Sequence, residues 1–152
     1  MTGRYIDDFT VGERFTTRSA ALDEATVIAF ARDYDPQPIH IDPAFAATHG
    51  PFGRVIASGF QTVAFSFKLY LEFGHFEGTG LAGPGMDEIR WLKPVFPDDP
   101  LTSQVEVLEA RPSKSKPDRG LLRLGFTVVN GAGETVLTYS SMTMLKRRPG
   151  AA

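Results

Sequence analysis

The stretch "IASGFQTVAFSFKLYLEFG", Ile56 to Gly74, decides how this chain folds. Ser58 stands where a helix cap belongs and Gly74 where a helix stops, so the segment between them is predicted to be helical. Its apolar residues Phe60, Val63, Ala64, Phe65, Phe67, Leu69, Tyr70, Leu71 and Phe73 cover most of the circumference. A helix that is hydrophobic nearly all round must be buried nearly all round. In a chain of 152 residues, a curved sheet wrapped around the helix can do that.

The residues that follow supply such a sheet. Met86 to Leu92 reads as a strand, and "KPVFPDDP" follows it as a turn. From Leu101 to Arg111 apolar and polar residues alternate, Leu101, Val105, Val107 and also Leu108 against Thr102, Gln104 and Glu106. Leu121 to Val129 and Glu134 to Lys146 are two more strands, joined by the hairpin signal "NGAG". Ahead of the long helix lie a short strand candidate, Arg14 to Ser19, and a helix capped by Asp23 that runs to about Tyr34. Pro36 and Pro38 forbid its continuation. A further short helix is expected from Pro43 to Thr48, with Asp42 as its cap. The expected fold class is α+β: one buried helix clasped by a long antiparallel meander.

Composition bounds the function. Hydrophobic residues make up 42% and charged residues 22%, ordinary values for one globular domain spanning residues 1–152. The net charge of −2 offers no basic excess for nucleic acid and no polybasic run for a membrane surface. With no cysteine, disulfides and thiolate metal sites are excluded. The start, "MTGRYIDDF", has no apolar core of a signal peptide. Phe60 to Phe73 is broken by Gln61, Lys68 and Glu72 and is too short to span a bilayer. A cytoplasmic location is the expectation.

The chemistry concentrates in "RDYDPQPIHID", Arg32 to Asp42. Asp35 and His40, one of only three histidines, are separated by a segment that Pro36 and Pro38 stiffen. A stiff chain loses less entropy when it holds two side chains in one geometry. An aspartate beside an imidazole offers a proton acceptor and a proton donor at neutral pH. That combination suits the addition or removal of water. The same residues also read as an ordinary turn in which His40 satisfies a carbonyl, and spacing leaves both readings open. His40 with Asp42 lacks a further nearby ligand, so no metal is expected.

Gly59 begins the long helix, where its unpaired N–H at the positive dipole end could stabilise charge on a thioester oxygen. Equally, a glycine there could serve close packing. Ser58 is not a hydrolase nucleophile by pattern, because Ile56 and Phe60 occupy the positions where glycines would be needed. Arg111, Lys114, Lys116 and Arg119 surround one polar loop, which reads as a solvated hairpin or as a phosphate contact.

Taken in order, these pieces resemble the MaoC-like dehydratases, the group that contains the (R)-specific enoyl-CoA hydratases. That family's signature is similar to Asp-x-Asn-Pro-x-His-x-Asp, an aromatic and alanine, a Phe-Gly turn, and Ile-Ala-His-Gly before a helix. Here it stands as "DPQPIHIDPAFA" and "PFGRVIASG". The later "GPGMDEIRWLKPVFPDDPL" and "SKSKPDRG" extend the resemblance over about residues 10–147.

The resemblance implies a hot-dog fold, a long helix wrapped by an antiparallel sheet, in a homodimer whose sheets join edge to edge. It implies a hydro-lyase that reversibly hydrates a trans-2-enoyl thioester, as enoyl-CoA, to a 3-hydroxyacyl thioester in fatty acid metabolism. No metal or redox cofactor is expected, and the acyl-CoA is the small-molecule partner. Asp35 and His40 match the catalytic pair, and Gly59 the glycine that binds the thioester carbonyl. Gln37, Ser58, Phe60 and Val63 are expected around the substrate. Three positions depart from the pattern: Gln37 replaces an asparagine, Ser58 a histidine, and Ala64 a helix serine. The alternatives are a hot-dog thioesterase and a non-catalytic acyl-thioester binding subunit.

Overall fold

The computed structural model describes residues 3–151. A 3-10 turn, Ile6–Asp8, precedes the short strand β1 (Arg14–Thr16). Helix α1 (Glu24–Tyr34) starts where Asp23 accepts a hydrogen bond from the Thr26 N–H at 2.7 Å. It ends before Pro36, as that proline requires. The chain does not stay extended, however: Pro38 opens a new helical turn, α2 (Pro38–Ile41). Proline forbids a helix from passing through it but fits the first helical position, where no N–H is needed. Helix α3 (Pro43–Thr48) repeats the device, with Asp42 accepting from the Phe45 N–H at 3.0 Å. Helix α4 (Gly59–Leu71) and strands β2 (Gly80–Trp91), β3 (Thr102–Pro112), β4 (Arg119–Val129) and β5 (Thr135–Lys146) complete the order.

The sheet has five antiparallel strands in the order β1-β3-β4-β5-β2. Only β3, β4 and β5 form a meander. Strand β2 crosses to the far edge beside β5, because Pro94, Pro97 and Pro100 make the connection to β3 too stiff and too long for a tight hairpin. It also begins at Gly80, ahead of the expected Met86. Gly80, Gly83, Pro84 and Gly85 disguise it, and an edge strand is where a proline is tolerated.

Alternation along the strands builds the core. Val105 and Val107 from β3, Leu122, Leu124, Phe126 and Val128 from β4, and Leu137, Tyr139 and Leu145 from β5 are buried in one cluster. Fully burying a side chain such as Leu124 is worth about 1.5–3 kcal/mol. Tyr70 of α4 meets Phe126 edge-on with ring centroids 5.7 Å apart, and Phe126 stacks on Tyr139 at 4.5 Å.

Within the single chain, α4 is not buried all round. Its covered face carries Gln61, Thr62, Ser66, Leu69 and Tyr70, whereas Phe60 is 65% exposed and Leu71 is 42% exposed. Two polar members of the covered face are tied down, the Thr62 hydroxyl donating to the Ser58 carbonyl at 3.3 Å and Ser66 pairing with the Tyr139 hydroxyl at 2.9 Å. Gln61 is engaged only through its amide nitrogen, which donates to the Thr26 carbonyl at 3.3 Å. A single sheet covers one side of a helix: Val63, Phe65 and Phe67 still pack partly buried against the core, whereas Phe60 is left exposed against Trp91 of edge strand β2, on which Leu81 and Met86 are exposed as well. Among the described residues, no helix is long and apolar enough to cross a membrane.

Candidate active site

Three helix ends meet at one point. Asp35 is the residue on which α1 stops, its N–H donating to the Ala31 carbonyl at 2.8 Å. His40 lies in the single turn of α2 and is 5% exposed. Gly59 is the first residue of α4. The turn that Pro38 starts aims the imidazole inward, and its Nε2 lies 3.3 Å from Asp35 Oδ2.

The other ring nitrogen fixes the tautomer. His40 Nδ1 is 2.7 Å from the Ile56 carbonyl oxygen. A carbonyl only accepts, so Nδ1 carries a proton, and whenever the ring is neutral its Nε2 is a bare acceptor turned to Asp35. In that neutral form carboxylate and imidazole face each other as two acceptors. Such a pair is satisfied by a molecule with two hydrogens, or by one shared proton.

Asp35 is held from behind as well. Its Oδ1 accepts from Gln37 Nε2 at 2.7 Å, and its Oδ2 accepts from the Ser58 hydroxyl at 2.7 Å. Burial pushes this carboxyl up, but the hydrogen bonds from Gln37 and Ser58, together with the electrostatic influence of His40, hold it below its ordinary value.

Gly59 begins α4, so its N–H has no acceptor within the helix. Its carbonyl accepts from the Trp91 indole N–H at 3.0 Å. A Cβ at this position would lie 2.5 Å from Trp91 Cε2 and Nε1, so only glycine fits beneath the ring.

Asp35, Gln37, His40, Gly59, Phe60 and Trp91 all line one cavity of about 460 Å³. A second, more apolar cavity of about 610 Å³ adjoins it, bounded by Val63, Ala64 and Phe67 of α4 and by Met86, Ile89 and Met142 of the sheet. Phe60 and Trp91 line both, their rings 6.2 Å apart and nearly perpendicular. They form the wall between the chambers.

The residues expected around a substrate thus separate into groups. Gln37 and Phe60 line the cavity that holds Asp35 and His40. Val63 lines the second cavity only. Ser58 lines neither: it is fully buried beneath Asp35, and although it occupies the capping position of α4, its hydroxyl caps nothing. Ala64 also lies on the second cavity. The remaining histidines are elsewhere. His49 stacks on Phe45 and bonds to Thr48, while His75 bonds to the Tyr70 hydroxyl inside a nest of aromatic rings.

Sequence reading missed the Ile56 carbonyl and the grip of Trp91 on Gly59. A backbone acceptor leaves no residue signature. Trp91, the chain's one tryptophan at a strand end, was the visible hint of the second.

The chain's likeness to known proteins bears on this geometry. The family described as MaoC like domain matches residues 8–129. The chain belongs to that family. A crystal structure of the MaoC-like dehydratase from Rhodospirillum rubrum aligns over 97% of this chain and 99% of its own, with 35% identity and a TM-score of 0.81. The uncharacterized protein YdeM of Bacillus subtilis (strain 168) is 36% identical over 142 residues, covering 93% of this chain and 99% of its own. The (R)-specific enoyl-CoA hydratase of Aeromonas caviae is 32% identical over 105 residues, covering 66% of this chain and 71% of its own. A Mycobacterium tuberculosis protein with a double hot-dog fold shares the fold, with a TM-score of 0.79 over 99% of this chain and 46% of its own at 19% identity. The architecture is accordingly the hot-dog fold, a helix laid on an antiparallel sheet.

In this MaoC-like chain the basic loop stands away from the cavity that Asp35 and His40 line. Arg119 begins β4 opposite Lys146, at the end of the sheet where β2 starts, whereas Trp91 ends β2 opposite Leu137. The stretch of β5 from Leu137 to Lys146 separates them by about 30 Å at the usual rise per residue. Arg111 and Arg119 are there engaged by Glu109 and Asp118.

Proposed function

We propose that this chain is a hydro-lyase that reversibly adds water across the C2=C3 bond of a 2-enoyl thioester to give a 3-hydroxyacyl thioester. The observation that carries the reading is the convergence of two acceptors, Asp35 Oδ2 and His40 Nε2, with the unpaired Gly59 N–H on one cavity. The name of the Aeromonas caviae relative points the same way.

The chemistry follows from the groups present. A water donates its two hydrogens to Asp35 and His40, which orients its oxygen lone pair toward the substrate. Attack on C3 forms the new C–O bond while the pair takes up one proton from the water. The C2=C3 electrons move toward the thioester, and negative charge grows on the carbonyl oxygen. The Gly59 N–H, at the positive end of α4, meets that charge. The proton held by the pair returns to C2, so that one water has been added and both residues regain their starting states. Acid and base roles belong to the pair, since coupled groups share their titration. The reaction asks for no group beyond protein, thioester and the one water. The acyl tail would pass Phe60 toward the second cavity, whose apolar lining suits hydrocarbon.

The working form is proposed to be a homodimer joined along β2. This strand is an edge of the sheet with unpaired backbone groups, and the exposed Leu81, Met86 and Trp91 lie on it, with Phe60 against Trp91. Sedimentation at micromolar concentration should give the dimer mass.

Crotonyl-CoA is the test substrate. Hydration removes the enoyl-thioester absorbance without releasing thiol. Release of free thiol would instead make the chain a thioesterase. Tight binding without either change would make it a binding subunit.

A further inference from the structure

Ser58 is the fully buried hydroxyl at the centre of the site, and neither the cavity lining nor the helix cap uses it. An N-cap serine ordinarily accepts from a backbone N–H of the first helical turn. Here the Ser58 carbonyl serves the helix, accepting from the Thr62 N–H at 3.1 Å and from the Thr62 hydroxyl. Its side chain turns instead to Asp35 Oδ2, the oxygen that faces His40.

The position of Asp35 explains why a donor is needed. The residue sits at the C-terminal end of α1, where the helix dipole presents partial negative charge and disfavours a carboxylate. Gln37 supplies one neutral donor to Oδ1. Among the described residues around the carboxylate, His40 from α2 is the titratable group that faces it. Lys93 lines the same cavity but is ion-paired with Glu134. Arg32 and Asp33 on α1 are exposed. Oδ2 would thus lack a neutral donor if Ser58 did not provide one.

We propose that Ser58 is a positioning residue for the Asp35–His40 pair: its single hydroxyl proton, given to Asp35 Oδ2 from the side away from the cavity, keeps that oxygen a charged acceptor aimed at His40. The inference rests on the hydratase reading for its consequence in turnover, though not for its physical core. Because Ser58 does not line the cavity, it orients the acceptor without touching the substrate. Direct donation to Oδ2 lowers the titration of Asp35, in keeping with its position below the ordinary carboxylate range.

The experiment compares the full-length wild type with Ser58→Ala, a smaller side chain that needs no new space. The Asp35 carboxyl carbon is followed by NMR titration of protein carrying ¹³C-labelled aspartate, with Asp35→Asn to assign the signal. The expected result is an upward move of the Asp35 midpoint by about one to two pH units, the scale of a lost hydrogen bond to a charged group. With crotonyl-CoA, the acid limb of kcat/KM should rise by the same amount, and kcat should fall about tenfold with KM nearly unchanged. In the Asp35→Asn background, removing the hydroxyl should cost nothing further. An unmoved Asp35 titration in Ser58→Ala overturns the proposal, whatever happens to activity. So does a change confined to KM, which would make Ser58 a substrate contact. The NMR arm needs no turnover: a moved titration in a protein that hydrates nothing would uphold the role of Ser58 and refute the hydratase reading instead.

Discussion

Gly59→Ala is the most demanding perturbation of this site, because it adds one methyl where there is no room. The Cβ would sit 2.5 Å from two atoms of the Trp91 ring, while a relaxed contact between carbon atoms needs about 3.5–4.0 Å. The indole must therefore retreat by about 1–1.5 Å. Trp91 is 50% exposed, so it can move, and the cost should lie at the low end of overpacking, about 1 kcal/mol. Its hydrogen bond to the Gly59 carbonyl is lost with the movement, adding about 0.5–1.5 kcal/mol. Urea unfolding should then show a total loss of about 1.5–2.5 kcal/mol. The effect on turnover is larger in proportion. The displaced ring lines the cavity, and a misplacement of about 1 Å can cost about 100-fold in rate. Hydration of crotonyl-CoA, followed by loss of enoyl absorbance, should fall by that factor in kcat/KM. Trp91→Ala provides the control. With the ring gone, the three atoms nearest to an alanine Cβ at position 59 are removed, and most of the stability cost of Gly59→Ala should disappear. If Gly59→Ala keeps full stability and full activity, or costs the same with and without the Trp91 ring, the close approach of Trp91 does not govern this site.

Other perturbations test separate parts of the argument. Asp35→Asn and His40→Ala should each lower kcat/KM by about 100- to 10,000-fold, the usual worth of a general acid–base group, with little change in circular dichroism; near-normal turnover in either would remove the proposed pair. Phe60→Ala should open the wall between the chambers, shifting preference among enoyl-CoAs toward bulkier or branched tails, and an unchanged chain-length profile would count against the second cavity as the tail's place. Leu124→Ala, deep in the core, should cost about 2–5 kcal/mol in urea unfolding without altering KM, and a smaller loss would mean the core collapses around the gap. Burial and the nearby Arg4 charge lower the pKa of His75. Below an unfolded pKa of about 6.5 the unfolded chain then binds more protons than the folded one. Stability should accordingly be complete above that pH and decline as pH falls below it; His75→Gln should flatten this dependence between pH 7.5 and 5.5, and an equal slope in the variant would clear His75 of the effect.

The legible parts of this molecule are those governed by neighbours in sequence. Alternation marked β3, and the hairpin signal "NGAG" marked β4 and β5, nearly to their ends, because apolar spacing in a strand and a tight turn are both local in sequence. Asp23 and Asp42 announced α1 and α3, since a cap acts on an N–H three residues away. The motif around Asp35 and His40 was visible for a similar reason, its members lying within one short segment. The first six residues of β2 were hidden, because Gly80 to Gly85 become a strand only when β5 offers them a partner.

What tertiary structure decided is the set of relations across distance. Apolar content marked α4 as a helix to be covered, yet which face is covered depended on the sheet, and the covered face proved to hold Gln61, Thr62 and Ser66. Ser58 carried a local signal for capping, but its hydroxyl answers to Asp35, a residue on another helix. The tautomer of His40 is fixed by the Ile56 carbonyl, and the need for glycine at 59 by Trp91. Short-range pattern records which conformations a segment prefers. Which donor meets which acceptor is settled only when segments far apart in the chain are packed against one another, because hydrogen bonds and steric contacts act over a few ångströms of space rather than of sequence.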